Sequence, residues 1–496
     1  MSDVISERDA WRALWALVIG FFMILVDSTI VSVATPALMV AFDADIARVL
    51  WVTSAYLLGY AVPLLIAGRL GDRFGPRRLY LTGLFCFTLF SVLCGLAVNI
   101  EMLIVMRLLQ GLSASLMTPQ TMAIVTRLFP AERRGPALGL WGAVAGAAVL
   151  VGPLAGGLLV GTLGWQWIFF VNLPVGLFGL VLAYRRLPVL EINRHRFDIL
   201  GVVLSAIGLF CFIFGLEEAE NFGWGQIWGP VTVWRLIIAG LVVLMVFIGW
   251  QAVNRGEPLV PLQLFRDRNF SIANLAITAM GFTSTAMVFP MMIYTQVARG
   301  LSPTQAALLT LPMAISSGVL GPVVGMVMHR INPRWFAMAG FFILSAALVG
   351  YWFAMRPDAS VLWLLLPSLF LGIGSSGIWG PLSISATRNL PAHRAGAGAG
   401  VYNTTRQMGA VVGSAAIAVW MQARLSAHLP GAGHTTPTLG AELPEGLAAP
   451  FARAMGEAVL LPAAVAAVGF VGVLFLTRVV TTAPPAQDGA VSPAGR

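Results

Sequence analysis

The sequence predicts an all-α integral membrane protein of fourteen transmembrane helices, arranged as two six-helix bundles with two helices inserted between them. Three observations predict this class. Hydrophobic residues make up 58% of the 496 positions, charged residues make up only 10%, and apolar stretches of about 20 residues recur from end to end. Soluble domains carry about 25% charged residues. Helices satisfy their own backbone hydrogen bonds in lipid, so we expect them to form the spans.

Hydropathy sets the approximate limits of the fourteen predicted spans. They are 13–35, 50–70, 79–98, 102–124, 137–160, 167–187, 198–216, 233–253, 271–295, 304–328, 336–355, 361–385, 397–422 and 457–479. The spans divide the chain into six predicted segments: an N-terminus (1–12), an N-terminal six-helix bundle (13–190), a two-helix insert (191–256), a C-terminal six-helix bundle (257–480), a long external loop within that bundle (423–456) and a disordered tail (481–496).

The distribution of arginine predicts the orientation of the spans. All 30 basic residues are arginine. Twenty-two of them lie at the termini or in loops on the N-terminal side of the predicted membrane, against six on the opposite side. Because cytoplasmic loops carry the excess of positive charge, both termini are predicted to be cytoplasmic, in the cytoplasmic membrane. Topology also explains the net charge of +9, so the composition does not favour a nucleic-acid partner.

Two short motifs recur at nearly one spacing and predict an internal repeat. Gly68–Arg73 matches Gly325–Arg330, an offset of 257 residues, and Arg127–Arg133 matches Arg388–Arg394, an offset of 261 residues. Parallel repeats of six helices around a central cavity are a transporter architecture.

Asp27 lies deep inside the first predicted span, where we find no other acidic residue. A carboxylate at such depth is costly unless it is paired, hydrated or protonated, so it predicts a functional site. The alternative is a helix-end residue or a hydrogen-bonding group between helices. Arg107 lies within the fourth span at a similar predicted depth, since each helical residue advances about 1.5 Å. We therefore predict that Asp27 and Arg107 meet and that the carboxylate carries a proton; the alternative is that Arg107 binds backbone carbonyls or Gln110.

The segment from Gly68 to Arg78 predicts a tight loop between the second and third spans. Glycines permit a sharp turn and close helix approach, and Asp72 can pair with an arginine or cap a neighbouring helix. We predict a conformational latch, although the arginines can equally serve topology alone. The predicted latch residues are Gly68, Asp72, Arg73, Gly75 and Arg77.

The fifth span carries glycine and alanine at four-residue spacing and ends in Gly-Pro-x-x-Gly-Gly. This pattern predicts a smooth packing surface and a bend at the proline. Its residues are Gly142, Gly146, Gly152, Pro153, Gly156 and Gly157.

Polar, methionine and aromatic side chains within the spans are candidates for a substrate cavity, because methionine suits an adaptable apolar pocket. Ordinary helix packing or lipid contact is the alternative for each of them. Arg406 has no evident partner near the middle of its span, which favours an anionic or amphipathic substrate or, equally, bonding to carbonyls. The candidates are Thr118, Gln120, Asn172, Met287, Met291, Tyr294, Asn403, Arg406 and Gln407.

These stretches together resemble the major facilitator superfamily, and fourteen spans resemble its drug:proton antiporter branch, the EmrB/QacA-like group. The loop at Gly68 is similar to the superfamily's signature loop, Arg107–Gly111 to its proton-linked motif and Gly142–Gly157 to its antiporter motif. The segment Asp27–Pro36 resembles the first-helix motif of the fourteen-helix group. The resemblance implies the major facilitator fold, and export of a compound in exchange for protons.

We therefore expect a secondary active transporter that exports hydrophobic or amphipathic drugs or toxic compounds by alternating access. Its partners would be the small-molecule substrate, protons and the lipid bilayer; we expect a monomer, no cofactor, no metal and no nucleic acid. A dedicated exporter of one endogenous metabolite, antibiotic or lipid is the main alternative. A membrane-embedded enzyme or sensor is the alternative from another class. It lacks support, because the sequence has neither a nucleophile motif nor a phosphate-binding loop.

Overall fold

A computed structural model describes residues 6–44, 46–130, 134–190, 198–219, 222–254, 256, 258–301, 303–328, 331–356, 359–388, 390, 394–429 and 447–477. His329 and Arg330 of the predicted repeat, most of the predicted external loop and the predicted tail lie outside these residues. Within helices, the side chains of Gly142, Gly146 and Pro153 are also outside the description.

The first group of helices follows the order of the first six predicted spans. Its members are α1 (Glu7–Phe42), α2 (Ile46–Ala61), α3 (Leu64–Phe74), α4 (Pro76–Gly95), α5 (Ile100–Leu128), α6 (Arg134–Thr162), α7 (Trp167–Phe170) and α8 (Asn172–Arg186). The end of the bundle at which α1 begins is called the near end below, and the end at which α1 stops the far end.

The insert and the second group follow in the chain. The insert consists of α9 (Ile199–Glu217), α10 (Val233–Val253) and a two-stranded antiparallel hairpin, β1 (Gln226–Trp228) with β2 (Val231–Thr232). The second group comprises α11 (Arg268–Ala286), α12 (Val288–Ile293), α13 (Pro303–Leu308), α14 (Leu311–Val327), α15 (Pro333–Ala354), α16 (Leu365–Thr387), α17 (Ala395–His428), α18 (Ala448–Ala458) and α19 (Leu460–Val473).

The all-helical prediction is confirmed, apart from the small hairpin that the sequence did not predict. Among the described residues, twelve helices are long and apolar enough to cross a membrane, or thirteen if the bent pair α2 and α3 forms one span. The 29-residue helix α6 occupies predicted span 137–160 and stands outside that count. The total of fourteen spans stays a prediction.

Two predicted boundaries differ from the structure for identifiable reasons. The span predicted at 50–70 is broken and bent by 45° between α2 and α3, where Pro63 cannot donate a backbone hydrogen bond to the helix. The external loop predicted at 423–456 is shorter than expected, because α17 continues to His428 and α18 already begins at Ala448. Alanine-rich sequence on both sides of the loop favours helix even beyond the apolar core.

The two groups of helices contact each other along several helices. In the first group α1 packs against α6 and α8, and α5 packs against α2 and α4. In the second group α11 packs against α17 and α19, and α15 against α16. Between the groups, α6 contacts α14, and α3 contacts α17. The insert lies against both groups, since Leu209 and Ile213 of α9 share an apolar cluster with Leu58 of α2 and Val411 of α17.

A polar network fixes the near end of the insert. Asp198 caps α9 by accepting a hydrogen bond from the Gly201 amide (2.9 Å), and it also accepts from Trp250 Nε1 (2.9 Å) and Gln251 Nε2 (2.8 Å) of α10. The Leu259 amide donates to the same carboxylate at 3.3 Å. Burial opposes ionisation of Asp198, but the hydrogen bonds outweigh it and hold the pKa of this carboxyl below its usual value of 3.8.

Replacement of Asp198 with alanine should lower the free energy of unfolding by about 1–3 kcal/mol, because one change removes a helix cap and three further hydrogen bonds. Since the pKa is lowered in the folded state, this stabilisation is present at neutral pH and is lost as the pH falls below 3.8. Thermal unfolding of the purified full-length chain would measure both effects. Asn99→Ala, which removes a cap with the single bond to the Met102 amide, is the matched control, and an equal loss in both variants would contradict the network.

Candidate functional site

Asp27 lies in α1, fully buried, with hydrogen-bond donors from two other helices around its carboxylate. Arg107 of α5 forms an ion pair with Oδ2, and both side chains are 0% exposed. Gln110 Nε2 donates to Oδ1 at 3.0 Å and Asn172 Nδ2 of α8 donates to the same atom at 2.9 Å. All three contacts present N–H groups to the carboxylate, an arrangement that matches its charged form.

The Arg107 guanidinium is held on several sides. Its Nε donates to the Val52 carbonyl of α2 at 3.1 Å, and its Nη1 donates to Gln110 Oε1 at 2.8 Å as well as to Asp27. The Tyr56 ring lies 4.2 Å below the guanidinium carbon, close enough for a cation–π contact. Nη2 is buried and has no partner among the described residues. The structure thus brings Asp27 and Arg107 together. The partners predicted as alternatives for Arg107, a backbone carbonyl and Gln110, also bind it, in addition to Asp27.

Close packing of α1 on α6 fixes the position of the Asp27 helix. A methyl group added at Gly152 would overlap Thr29, and one added at Gly156 would lie 2.9 Å from the Ile30 carbonyl oxygen. Gly157 is less constrained, since an added methyl group would meet only Val33, at 3.9 Å. Small residues in α6 therefore let its backbone approach the turn of α1 that follows Asp27.

Asp72 forms a second buried charge cluster, at the near end, and its partners belong to both groups of helices. Arg127 of α5 pairs with Asp72 Oδ1 at 3.0 Å. The Gly396 and Ala397 amides at the start of α17 donate to its two oxygens at 3.2 and 3.0 Å. The carboxylate therefore caps the N-terminus of α17, where the helix dipole favours negative charge.

The backbones of α3 and α17 touch beside this cluster. A methyl group added at Gly68 would lie 2.5 Å from the Gly396 carbonyl oxygen and 3.1 Å from the Gly400 Cα atom. Only glycine fits such an approach. Together, Gly68 and Asp72 close the near end of the bundle across the two groups.

The remaining predicted latch residues lie elsewhere. The segment predicted as a loop is helical up to Phe74 and turns only at Gly75, whose φ of 92° suits glycine, before Pro76 begins α4. Arg73 is exposed, over the Phe74 ring. Arg77 donates to the Tyr184 carbonyl of α8 at 2.7 Å, within its own group. The structure thus places the hydrogen bond of Arg77 within the first group and not at the contact between groups.

The predicted cavity residues fall into three places. Asn172 belongs to the Asp27 cluster, and Gln120 donates to the Ala67 carbonyl of α3 at 2.8 Å, inside the first group. Met287, Met291 and Tyr294 are buried in the core of the second group. Asn403 and Arg406 of α17 contact Met122 and Tyr60 of the first group, and Thr118 bonds the same Tyr60. Gln407 is buried next to Arg406 on α17.

A small pocket lies in the second group towards the far end. Met291 lines it, but Met287 and Tyr294 do not; the Tyr294 hydroxyl instead donates to the Arg356 carbonyl at 3.0 Å. Its other lining residues are Met292, Thr295, Ala306, Leu309, Thr310, Tyr351, Met355 and Leu364.

Sequence reasoning missed several partners of the predicted charges. Tyr56 and Tyr60 lie one turn apart on α2, and their spacing was the available signal, because residues four apart share a helix face. Ser91 of α4 accepts a hydrogen bond from Asn172 at 3.0 Å and so orients the amide towards Asp27. Arg69 was counted only as a topology residue, yet its side chain donates to the Leu259 carbonyl at 3.1 Å and to the Pro258 carbonyl.

A multi-pass helical bundle, with one ion pair buried inside a group and a charge cluster between two groups, defines a membrane transport protein as the class. The chain belongs to the Major Facilitator Superfamily, whose family model matches residues 17–414.

Relatives and solved structures agree with this assignment. The chain is 49% identical over 477 residues to an MFS-type transporter of Mycobacterium tuberculosis, covering 95% of this chain and 81% of that relative. It is 34% identical over 423 residues to the tetracenomycin C resistance and export protein of Streptomyces glaucescens, covering 84% and 76%. The proton:xylose symporter XylE shares its fold, with a TM-score of 0.64 at 13% identity over 95% of this chain and 96% of XylE. Drug- and antibiotic-resistance proteins are thus among its relatives, and the chain is a transporter, not an enzyme.

Replacement of Arg107 with alanine should lower the free energy of unfolding by about 3–5 kcal/mol, because the Asp27 charge would stay buried without its partner. The double replacement Asp27→Leu with Arg107→Met should recover most of this loss, since apolar side chains of similar volume remove both charges at once. Thermal unfolding of purified protein would compare the variants. A double variant less stable than Arg107→Ala would contradict the proposed energetics of the pair.

Replacement of Gly68 with leucine should force α3 away from α17 and open the near end. Spin labels at the exposed residues Arg78 and Arg266, one on each group, would report a longer distance by pulsed paramagnetic resonance. Gly318→Leu is the matched control, because nothing lies within 4 Å of a methyl group added there. An unchanged distance in Gly68→Leu would show that this contact does not close the near end.

Proposed function

We propose that this transporter exports hydrophobic or amphipathic compounds across the cytoplasmic membrane in exchange for protons. The observation that carries the proposal is the burial of Asp27, a carboxylate 0% exposed in the interior of a membrane protein. Such a group is expensive to keep charged and therefore marks an ion or proton site. An inward proton releases about 2.3 kcal/mol per 100 mV of membrane potential, in addition to any pH gradient.

The geometry limits how Asp27 could load a proton. Its donors, Arg107, Gln110 and Asn172, all belong to the first group of helices, so a rigid movement of one group against the other leaves them in place. Protonation therefore requires water to reach the carboxylate and displace the guanidinium locally. Arg107 would keep its bonds to Val52 and Gln110 when Asp27 is neutral, which lowers the cost of separating the two charges.

Alternating access would follow from the Asp72 cluster. The arginine distribution assigns the near end to the cytoplasm. The described state, in which Asp72 caps α17 and Gly68 touches Gly396, then has its cytoplasmic end closed. Inward opening would break these contacts between groups, whereas the Arg127–Asp72 pair lies within the first group and would survive. The latch would thus bias a two-state rocking motion.

A dedicated exporter of one antibiotic or metabolite is the second candidate. It is favoured by the relative that is named for tetracenomycin C resistance and export, at 34% identity over most of both chains. Both candidates share the proton-coupled mechanism and differ in the breadth of compounds accepted. A susceptibility screen in a host that lacks its own efflux pumps would separate them, since a dedicated exporter should protect against one chemical family only.

Asp27→Asn should abolish proton-driven transport. Everted vesicles that contain the wild-type chain should lose a preset pH gradient when a transported compound is added, whereas the asparagine variant should match vesicles without the protein, because its amide cannot carry the proton. Downhill exchange of compound without a gradient should remain.

Asp43→Asn is the matched control for this test. Asp43 ends the same helix in a left-handed conformation with φ of 46°, which asparagine adopts readily, and it lies far from the cluster. This variant should transport normally. Uphill transport retained in Asp27→Asn would move the coupling site elsewhere.

A further inference from the structure

Among the described residues, Arg107 and Arg127 of α5 each have a carboxylate partner, whereas Arg406 of α17, which is partly exposed, has none. Arg107 pairs with Asp27, and Arg127 pairs with Asp72. Arg406 of α17 forms no ion pair with any described residue; its one hydrogen bond runs from Nη2 to the Tyr60 hydroxyl, at 3.3 Å. Its Nε is buried and lacks an acceptor among the described residues.

Arg406 lies too deep for its charge to reach water at the near end along the helix. It is eleven residues after the start of α17, or about 16 Å at 1.5 Å per residue. Thr118 lies at a matching depth, ten residues or about 15 Å before the near end of α5. Charged groups at such depth face the interior or a water-filled cavity and require a partner.

The surroundings of Arg406 join the two groups of helices. Tyr60 of α2 receives the hydrogen bond from Arg406 and also exchanges one with Thr118 Oγ1 at 3.2 Å. Asn403, one turn before Arg406, reaches Met122 of α5 at 3.9 Å and carries a buried carbonyl oxygen without a donor among the described residues. A guanidinium with unfilled donors therefore lies in a polar patch where the two groups of helices meet.

We propose that Arg406 binds the anionic group of the transported compound, a carboxylate, sulfonate or ionised phenol attached to an apolar body. This inference rests on the proposed function and names the class of its substrate. A guanidinium presents paired N–H donors that match a carboxylate in two parallel bonds. The Tyr60 hydroxyl holds it in place from the other group, so the bound anion lies between the two groups.

The assignment has a consequence for transport. Exchange of one inward proton for one outward monoanion moves two positive charges inward per cycle. A membrane potential negative inside therefore drives both halves of the exchange, and transport of an acid should be more sensitive to potential than transport of a neutral compound.

Binding can be tested on the purified full-length chain with pairs of compounds that differ only in charge. Three acids of increasing size, 2-naphthoate, 1-pyrenebutyrate and fluorescein, are compared with the neutral amides of the first two and the methyl ether-ester of the third, by calorimetry. At least one acid should bind about ten- to a hundredfold more tightly than its neutral counterpart. Failure of all three acids to bind, or equal binding of the neutral forms, would overturn the inference.

Variants then assign the effect to this residue. Arg406→Gln should remove the preference for the acid, and Arg406→Lys, which keeps the charge but not the paired donors, should restore part of it. Tyr60→Phe should weaken acid binding less than Arg406→Gln. The matched control is Arg424→Gln on the same helix, because Arg424 already has Glu457 as partner at 3.6 Å. An acid preference unchanged in Arg406→Gln would overturn the inference.

Transport in proteoliposomes separates this inference from the proposed function. Proton-driven transport of cationic or neutral compounds alone, with no acid carried, would leave the proposed function intact and overturn the role of Arg406. Acid binding that depends on Arg406, without any proton-driven transport, would instead contradict the proposed function and support the site. A potassium diffusion potential can make the side of the proteoliposome membrane from which the acid is exported negative. This potential should accelerate export of the acid by the wild-type chain.

Discussion

The structure depends on one constraint: a charge inside a membrane protein must be matched by a partner of opposite sign or by several hydrogen bonds. The Asp27–Arg107 pair meets this constraint with groups from four helices, α1, α2, α5 and α8. Small residues make the meeting possible, because Gly59 of α2 and Gly111 of α5 leave room for the backbone of the facing helix. The close helix packing of the first group is therefore also what allows its two charges to be buried together.

The two buried acids meet this constraint in different ways. Every partner of Asp27 lies in the first group, so this cluster can persist while the groups move. Asp72 divides its hydrogen bonds between Arg127 in its own group and the start of α17 in the other. A movement between the groups therefore breaks the two hydrogen bonds that Asp72 accepts from the backbone of α17. It leaves the hydrogen bonds of Asp27 intact. Under the proposed function, the Asp72 latch would set the conformational equilibrium, whereas Asp27 would respond to which end of the bundle admits water.

The helical elements could be predicted from the sequence, because long apolar runs have few structural alternatives. The similar depths of Asp27 and Arg107, counted from the constant rise of a helix, predicted that the two side chains could meet. The side of each helix that faces the protein interior could not be predicted. These helices are apolar on most sides, and hydropathy does not distinguish a face in contact with lipid from one in contact with protein. Gln120 and Tyr294 were assigned to a cavity for this reason, yet both point into their own group. The residue type of Pro63 indicates a break in the helix. The helical conformation of the segment around Gly68 and its contact with α17 depend on tertiary packing.

The insert is attached to the same machinery that closes the near end. Arg69, next to Gly68 in α3, binds the carbonyl groups of Pro258 and Leu259, and the Leu259 amide binds Asp198 at the start of α9. The chain segment that leaves the insert is thus bonded to α3 on one side and to the insert on the other. At the same time α9 lies against both Leu58 of α2 and Val411 of α17. In the proposed alternating access, a movement that separates α3 from α17 would therefore also disturb the contacts of the insert.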